Sequence, residues 1–269
     1  MAMDAAEAVR ASAEEPVAVY NGSGSGPFVI TCDHASNFVP SAFGGLGLKA
    51  ADLLRHIAWD PGAPGVSMEM SRRLGAPLVC GAVSRLVIDC NRPLDAPDLI
   101  AGFSEATVIP GNAALSDADR CARISRYYDP FHAAVDSAVS RKTARGMVPG
   151  MIAVHSFNPV YKGVSRPWEI AIIHDDDDAW AQGIVDRLQA LGGLNVGVNE
   201  PYSPKDRVYH TLERHARPRG LPAVMIEIRN DEIADQKSQQ RWGGLLAEIV
   251  NDAYEELTKG AAGARAAGA

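Results

Sequence analysis

At 269 residues the chain has room for one large domain or two small ones around a substantial core. Hydrophobic residues make up 46% and charged residues 22%, ordinary values for a globular protein, and a formal net charge of -7 argues against a general nucleic-acid binder, which presents a basic face. No stretch approaches the roughly 20 apolar residues that span a bilayer, and the beginning carries Asp4 and Glu7 with no long apolar run, so neither membrane span nor signal peptide is expected and a cytoplasmic protein is.

In chain order, residues 1–26 read as a flexible lead-in, Ala/Glu-rich at first and ending in NGSGSG at 21–26. Short apolar runs follow as strand candidates: PFVITC (27–32), APLVCGA (76–82), RLVIDC (85–90), MIAVH (151–155), EIAIIH (169–174), NVGV (195–198) and AVMIEI (223–228). Most are continuous rather than alternating, as in strands covered on both faces. Three of the four cysteines, Cys32, Cys80 and Cys90, lie inside such runs; with no CxxC pair they read as buried thiols rather than disulfides or a cysteine zinc site. Helical patterns lie between the strands. The first, 116–146, opens on a Ser116 cap with Asp119 three residues on, and others cover 178–193 and 236–260. GAAGARAAGA at the end has no apolar period, so 261–269 is expected to be a disordered tail and 27–260 a single domain. Strands alternating with helices imply an α/β sandwich around a largely parallel sheet.

Ligands in open α/β sheets gather beyond the carboxyl ends of strands. Those ends are polar here. PFVITC delivers Asp33 and His34, RLVIDC runs through Asp89 to Asn91 and Arg92, and MIAVH delivers His155 and Ser156. EIAIIH delivers His174 and Asp175, and AVMIEI carries Glu227 before Arg229. Two histidines and one carboxylate are the usual protein ligands of a catalytic zinc ion. His34 and His155 are the best-placed histidines. Glu227, an ionisable group inside an apolar strand, is the candidate general base, and Arg92 is a ready clamp for a carboxylate. His56 and His132 fall in helical patterns and read as surface or packing residues, and His174 leads into a solvated acidic turn. His215, between arginines, is a candidate contact for substrate or for the tetrahedral oxyanion, and Tyr202 and Arg85 are candidate substrate contacts.

DHASN, HIAWDPGA, SRLVIDCNRP, HSF, NEPYS, the RHA of ERHARPRGLP and IEIRND, in this order, resemble the N-formylglutamate amidohydrolase family from about residue 28 to about 250. That family is similar in fold to zinc carboxypeptidases and aspartoacylase-like amidohydrolases. The resemblance implies a single three-layer α/β/α sandwich with a mixed, largely parallel sheet. It also implies one Zn²⁺ ion and hydrolysis of N-formyl-L-glutamate to glutamate and formate within histidine degradation. His155-Ser156-Phe157 resembles the carboxypeptidase context of the second zinc histidine, Asn91-Arg92 the pair that holds a substrate carboxylate, and Glu227 the strand glutamate that serves as base. One departure stands out. Carboxypeptidases draw two ligands from His-x-x-Glu, whereas His34 is followed by Asn37, and a neutral amide is a poor zinc ligand. Asp60 is the first choice for the missing carboxylate, although an Asp before Pro61 also has the form of a helix cap; Asp33 is the alternative. The expected partner is a small N-acyl amino acid, with another N-acyl amino acid or a short peptide as rival substrate, and with neither nucleic acid nor membrane. A homo-oligomer is compatible with the sequence. A carboxylate-binding protein without turnover is the rival from another class.

Overall fold

The computed structural model describes residue 9, residues 15–175 and residues 179–267, with side chains to residue 260. Most of the Ala/Glu-rich beginning, the acidic residues 176–178 and the last two residues lie outside this range. Seven strands form the central sheet: β1 (Val17–Tyr20), β2 (Phe28–Cys32), β3 (Leu78–Gly81), β4 (Gly150–Phe157), β5 (Ile170–Ile173), β6 (Val196–Val198) and β7 (Ala223–Arg229). Their order is β1-β3-β2-β4-β7-β5-β6. The pairs β3/β2, β2/β4, β4/β7 and β5/β6 are parallel, and β1/β3 and β7/β5 are antiparallel.

Both faces of the sheet are covered, which is why its strands read as unbroken apolar runs. Phe28, Ile30 and Cys32 point to one face, where α1 (Ala63–Leu74), α4 (Ala179–Ala190) and α6 (Gln236–Ala267) bring Met70, Trp180 and Trp242 against them. Val29 points to the other, where α2 (Asp117–Arg123), α3 (Asp129–Thr143), the turn that joins them and α5 (His210–His215) bring Tyr128, Phe131 and Leu212. The result is the expected three-layer sandwich. The Ser116–Asp119 capping box opens α2, and one π-helical turn at Ile124–Tyr128 joins it to α3. Among the described residues no helix is long and apolar enough to cross a membrane.

Several expectations need correction. RLVIDC is not a strand. Leu86, Val87, Ile88 and Cys90 are buried, but the backbone there bonds to other loops, Arg85 N to Ala58 O and Asp89 N to Leu99 O, so the run is apolar because it is covered and not because it is paired in a sheet. The stretch before residue 27 contributes β1, and NGSGSG is tied down by Gly26 N on Gly75 O and by the Lys142 ammonium on the Gly24 and Gly26 carbonyls. The last helix continues to Ala267 where a tail was expected, and α1 and α5 fall outside the helical patterns noted. Three expectations hold: Cys32, Cys80 and Cys90 are buried free thiols.

Candidate metal and acid-base site

Parallel alignment brings the carboxyl ends of β2, β4 and β7 to one edge. His155 on β4 is directly paired with Glu227 on β7, so both side chains leave the sheet on the same face. β2 ends one residue short of Asp33 and His34. There a β-carbon on Gly81 would sit 2.2 Å from the Asp33 carbonyl oxygen, so glycine in β3 is what allows the exit to pass so close. Asp60 arrives from outside the sheet. Its backbone N–H donates to His34 O (2.9 Å), and the chain then turns through Gly62 at φ 82°, where a side chain would strike Ile233. The helix cap is Gly62 rather than Asp60, which frees the Asp60 carboxylate for the site.

The two histidines face carboxylates on both ring nitrogens. His34 Nδ1 lies 3.2 Å from Asp60 Oδ2 and its Nε2 2.7 Å from Asp89 Oδ1. His155 Nδ1 lies 2.8 Å from the same Asp60 oxygen and its Nε2 3.2 Å from Asp33 Oδ2. A neutral imidazole carries one N–H, so two neutral rings supply two protons for four such contacts. The arrangement therefore demands extra positive charge. Burial alone would push the His155 pKa down, but Asp33 and Asp60 push it up to about 10. Burial would likewise raise Asp60, yet the neighbouring histidines hold it well below the usual carboxylate range. Asp89 is also held low against burial, with Arg85 Nη2 at 2.7 Å and His34 beside it.

His34, Asp60 and His155 each offer a ligand atom within 4.8 Å of the others, and all three are buried. Two imidazoles and a carboxylate fit zinc. Asp89 and Asp33 then stand on the far nitrogens, the position from which a carboxylate fixes the tautomer and raises the basicity of a ligating histidine. Asp33, the alternative ligand, has its other oxygen taken by the Thr211 hydroxyl, and the Asn37 amide donates away from the site to Leu53 O (2.8 Å).

Beside this group the Glu227 carboxyl is buried with Oε2 lacking any hydrogen bond, and burial pushes its pKa up to about 7, with the His155 charge opposing and the Asp60 charge reinforcing the rise. A carboxyl titrating near neutrality is matched to taking up and returning a proton at physiological pH. The group opens into a cavity of about 340 Å³, whose walls include Arg85, Arg92, Tyr161, Tyr202 and Glu227.

The remaining predicted residues divide. Tyr202, Arg85, Asn91 and Arg92 line the cavity. Arg85 spends Nε and Nη2 on Asp89, while Arg92 donates Nε to Asp98 (2.8 Å) and Nη1 to Asn91 O (3.1 Å). Asn91, expected to hold substrate, has its amide committed to the fold, donating to Val208 O and accepting from Thr211 N (3.0 Å). His215 does not line the cavity; its Nε2 meets His132 Nδ1 at 2.9 Å in a buried layer beneath it. His174 leaves β5, which runs against β7, and so emerges at the opposite edge of the sheet. His56 is the residue sequence reasoning missed. It lines the cavity, with Nε2 3.4 Å from Asp60 Oδ1 and bonded to Ser156 O, and the signal for it was its i, i+4 spacing from Asp60.

The His132–His215 pair carries a pH prediction. Burial first, then the Arg214 charge, pushes His132 down to about 2 and His215 down to about 4. Both lie below the roughly 6.5 of an exposed imidazole, so the native state binds fewer protons than the unfolded chain across that interval. The stability they contribute is whole above about pH 6.5 and is lost as pH falls toward 4. Glu227 acts with the opposite sign but is common to wild type and variant. The unfolding temperature of wild type should therefore drop more between pH 7 and pH 5 than that of His215→Gln. Equal drops would refute the assignment.

Three comparisons with known proteins bear on this site. The family model described as N-formylglutamate amidohydrolase matches residues 26–234. A gene product of Agrobacterium tumefaciens of known crystal structure is 41% identical with a TM-score of 0.89, over 92% of this chain and 98% of that one. An N-formylglutamate amidohydrolase from Ralstonia eutropha shares the fold at 21% identity and a TM-score of 0.60, over 91% and 97% of the two chains. No curated protein matches.

Proposed function

The chain belongs to the N-formylglutamate amidohydrolase family, and on that premise we propose that it hydrolyses the amide of N-formyl-L-glutamate, releasing L-glutamate and formate, with zinc held by His34, Asp60 and His155. The observation that carries this reading is the buried pair of histidines around one carboxylate, set beside a second carboxyl with an unbonded oxygen. Zinc at such a site supplies Lewis acidity toward the substrate carbonyl and toward water. Glu227 takes a proton from the attacking water and returns it to the departing nitrogen as the carbon–nitrogen bond breaks. Asp89 and Asp33 hold the two imidazoles in place through their far nitrogens. Arg92 meets the α-carboxylate of the substrate through Nη2, which has no partner among the described residues.

Formate release from N-formyl-L-glutamate, followed with metal content by elemental analysis, tests the reading. The expected result is about one zinc per chain and loss of turnover on chelation, restored by zinc. Full turnover by the metal-free protein would remove zinc from the mechanism. Release of formate from other N-formyl amino acids, with none from the glutamate compound, would replace the substrate and leave the chemistry.

A further inference from the structure

The arginines near the cavity mouth are mostly neutralised: Arg55 by Glu105 (2.9 Å), Arg85 by Asp89 and Arg92 by Asp98. The segment that leads from β4 to β5 is different. It forms a hairpin, Val160–Tyr161 against Val164–Ser165, that turns through Lys162 and Gly163 at φ 49° and 80°, the tight reversal that two positive φ values allow. Lys162 lines the cavity with Nζ 5.2 Å from the Tyr161 ring centre. Arg166, only 7% exposed, places its guanidinium carbon 4.6 Å from the Tyr161 ring centre, 4.9 Å from that of Tyr202 and 5.7 Å from that of Phe157. Neither cation has a carboxylate within ion-pair distance among the described residues, and Arg166 Nη1 is buried without a hydrogen-bond partner.

A guanidinium taken out of water without a counter-charge is costly, and aromatic faces offset only part of that cost. What it lacks is an anion able to accept from a planar fork of donors, which is what a carboxylate does. Arg166 stands behind the cavity wall, against the rings of Tyr161 and Tyr202, and those two residues and Lys162 line the cavity that His155 and Glu227 also line. Tyr202 joins the two ends. Burial and the Glu227 charge raise its hydroxyl pKa, while the charge of Arg166 and its hydrogen bond lower it.

We propose that Arg166, with Lys162, Tyr161 and Tyr202, forms a second anion subsite that reads the acidic side chain of the substrate, opposite the α-carboxylate held by Arg92. The proposal rests on the amidohydrolase reading for the place of the chemistry. It makes the enzyme selective for N-acyl amino acids with a carboxylate side chain over neutral ones of the same shape. Lys162, exposed at the hairpin tip, supplies attraction that salt weakens, and Arg166 acts as a positioning residue, holding Tyr161 and Tyr202 and adding fixed positive charge behind them.

The test compares N-formyl-L-glutamate with its neutral isostere N-formyl-L-glutamine. In Arg166→Met the preference, as the ratio of kcat/KM values, should fall by roughly 10- to 100-fold, mainly through KM. Arg166→Lys should recover part of it. Lys162→Met, at an exposed position, should lower the preference by a smaller factor that shrinks further in high salt. Parallel losses on both compounds, leaving the ratio as in wild type, would overturn the subsite. Calorimetric binding of glutarate reads the same subsite without turnover. If wild type cleaves neither compound but glutarate binds at least about tenfold more weakly to Arg166→Met, the amidohydrolase reading fails and the subsite stands. Glutarate binding that is equal in both proteins, or absent from wild type, overturns the subsite whatever the turnover.

Discussion

Glu227→Gln is expected to lower kcat on N-formyl-L-glutamate by about 10²- to 10⁴-fold with little change in KM. Glutamine keeps the shape of the side chain but cannot take a proton from water. The position on β7 is rigid, paired residue for residue with β4, so the amide should occupy the space of the carboxyl. Stability should hold or rise, because the substitution removes a group whose burial already disfavours its charge. Rate and unfolding temperature measured together separate the outcomes. A folded variant with undiminished kcat would place the base on another residue.

Asp60→Asn is expected to weaken metal binding by more than the roughly 10- to 100-fold that loss of an outer hydrogen-bonding partner costs, and to take activity down with it. The carboxylate stands between His34 and His155 and, among the described residues, is the only one that meets both on Nδ1. Removing its charge also strips a partner from His155, so some stability is lost as well. Asp33→Asn and Asp89→Asn form the controls, since each meets one of the two histidines, on its far nitrogen, and neither meets both. Competition with a chromophoric chelator gives the three affinities. The order expected is Asp60→Asn far weaker than the other two. Stoichiometric zinc in Asp60→Asn beside a loss in Asp33→Asn would transfer the ligand role to Asp33.

Much of this arrangement was legible in the sequence because strands carried their chemistry at their ends. His34, His155 and Glu227 lie at or just past the carboxyl ends of strands that are buried on both faces, and such strands advertise themselves as apolar runs. Asp60 was legible through an expected deficit, the amide Asn37 where a carboxylate was needed. Strand direction was not legible, because an apolar run reads the same both ways; hence His174 was counted with the others although β5 is reversed. RLVIDC shows the same limit in another form, since burial without sheet pairing leaves the same apolar signature. Asn91 kept the residue type of a substrate clamp while its amide served the Val208–Thr211 segment, a commitment visible only across long sequence separation. Arg166 gave no signal at all, because what distinguishes it is the company of three aromatic rings brought in from 157, 161 and 202.

The reversal of β5 has a consequence for how this molecule can diversify. Had β5 run parallel to β7, the chain leaving β4 would have had to return along the length of the sheet, and a crossover of that kind is locked into the packing of a layer. Because β5 is reversed, residues 158–169 leave β4 and enter β5 at the same edge, the one that holds His34, His155 and Glu227. The hairpin tip at Lys162 and Gly163 stands free in solvent, whereas the return into β5 is tied to the sheet, with Arg229 N donating to Glu169 O and Arg229 Nη1 to the Trp168 carbonyl. A change at this tip alters the charge at the cavity mouth while the paired strands that carry His155 and Glu227 keep their register.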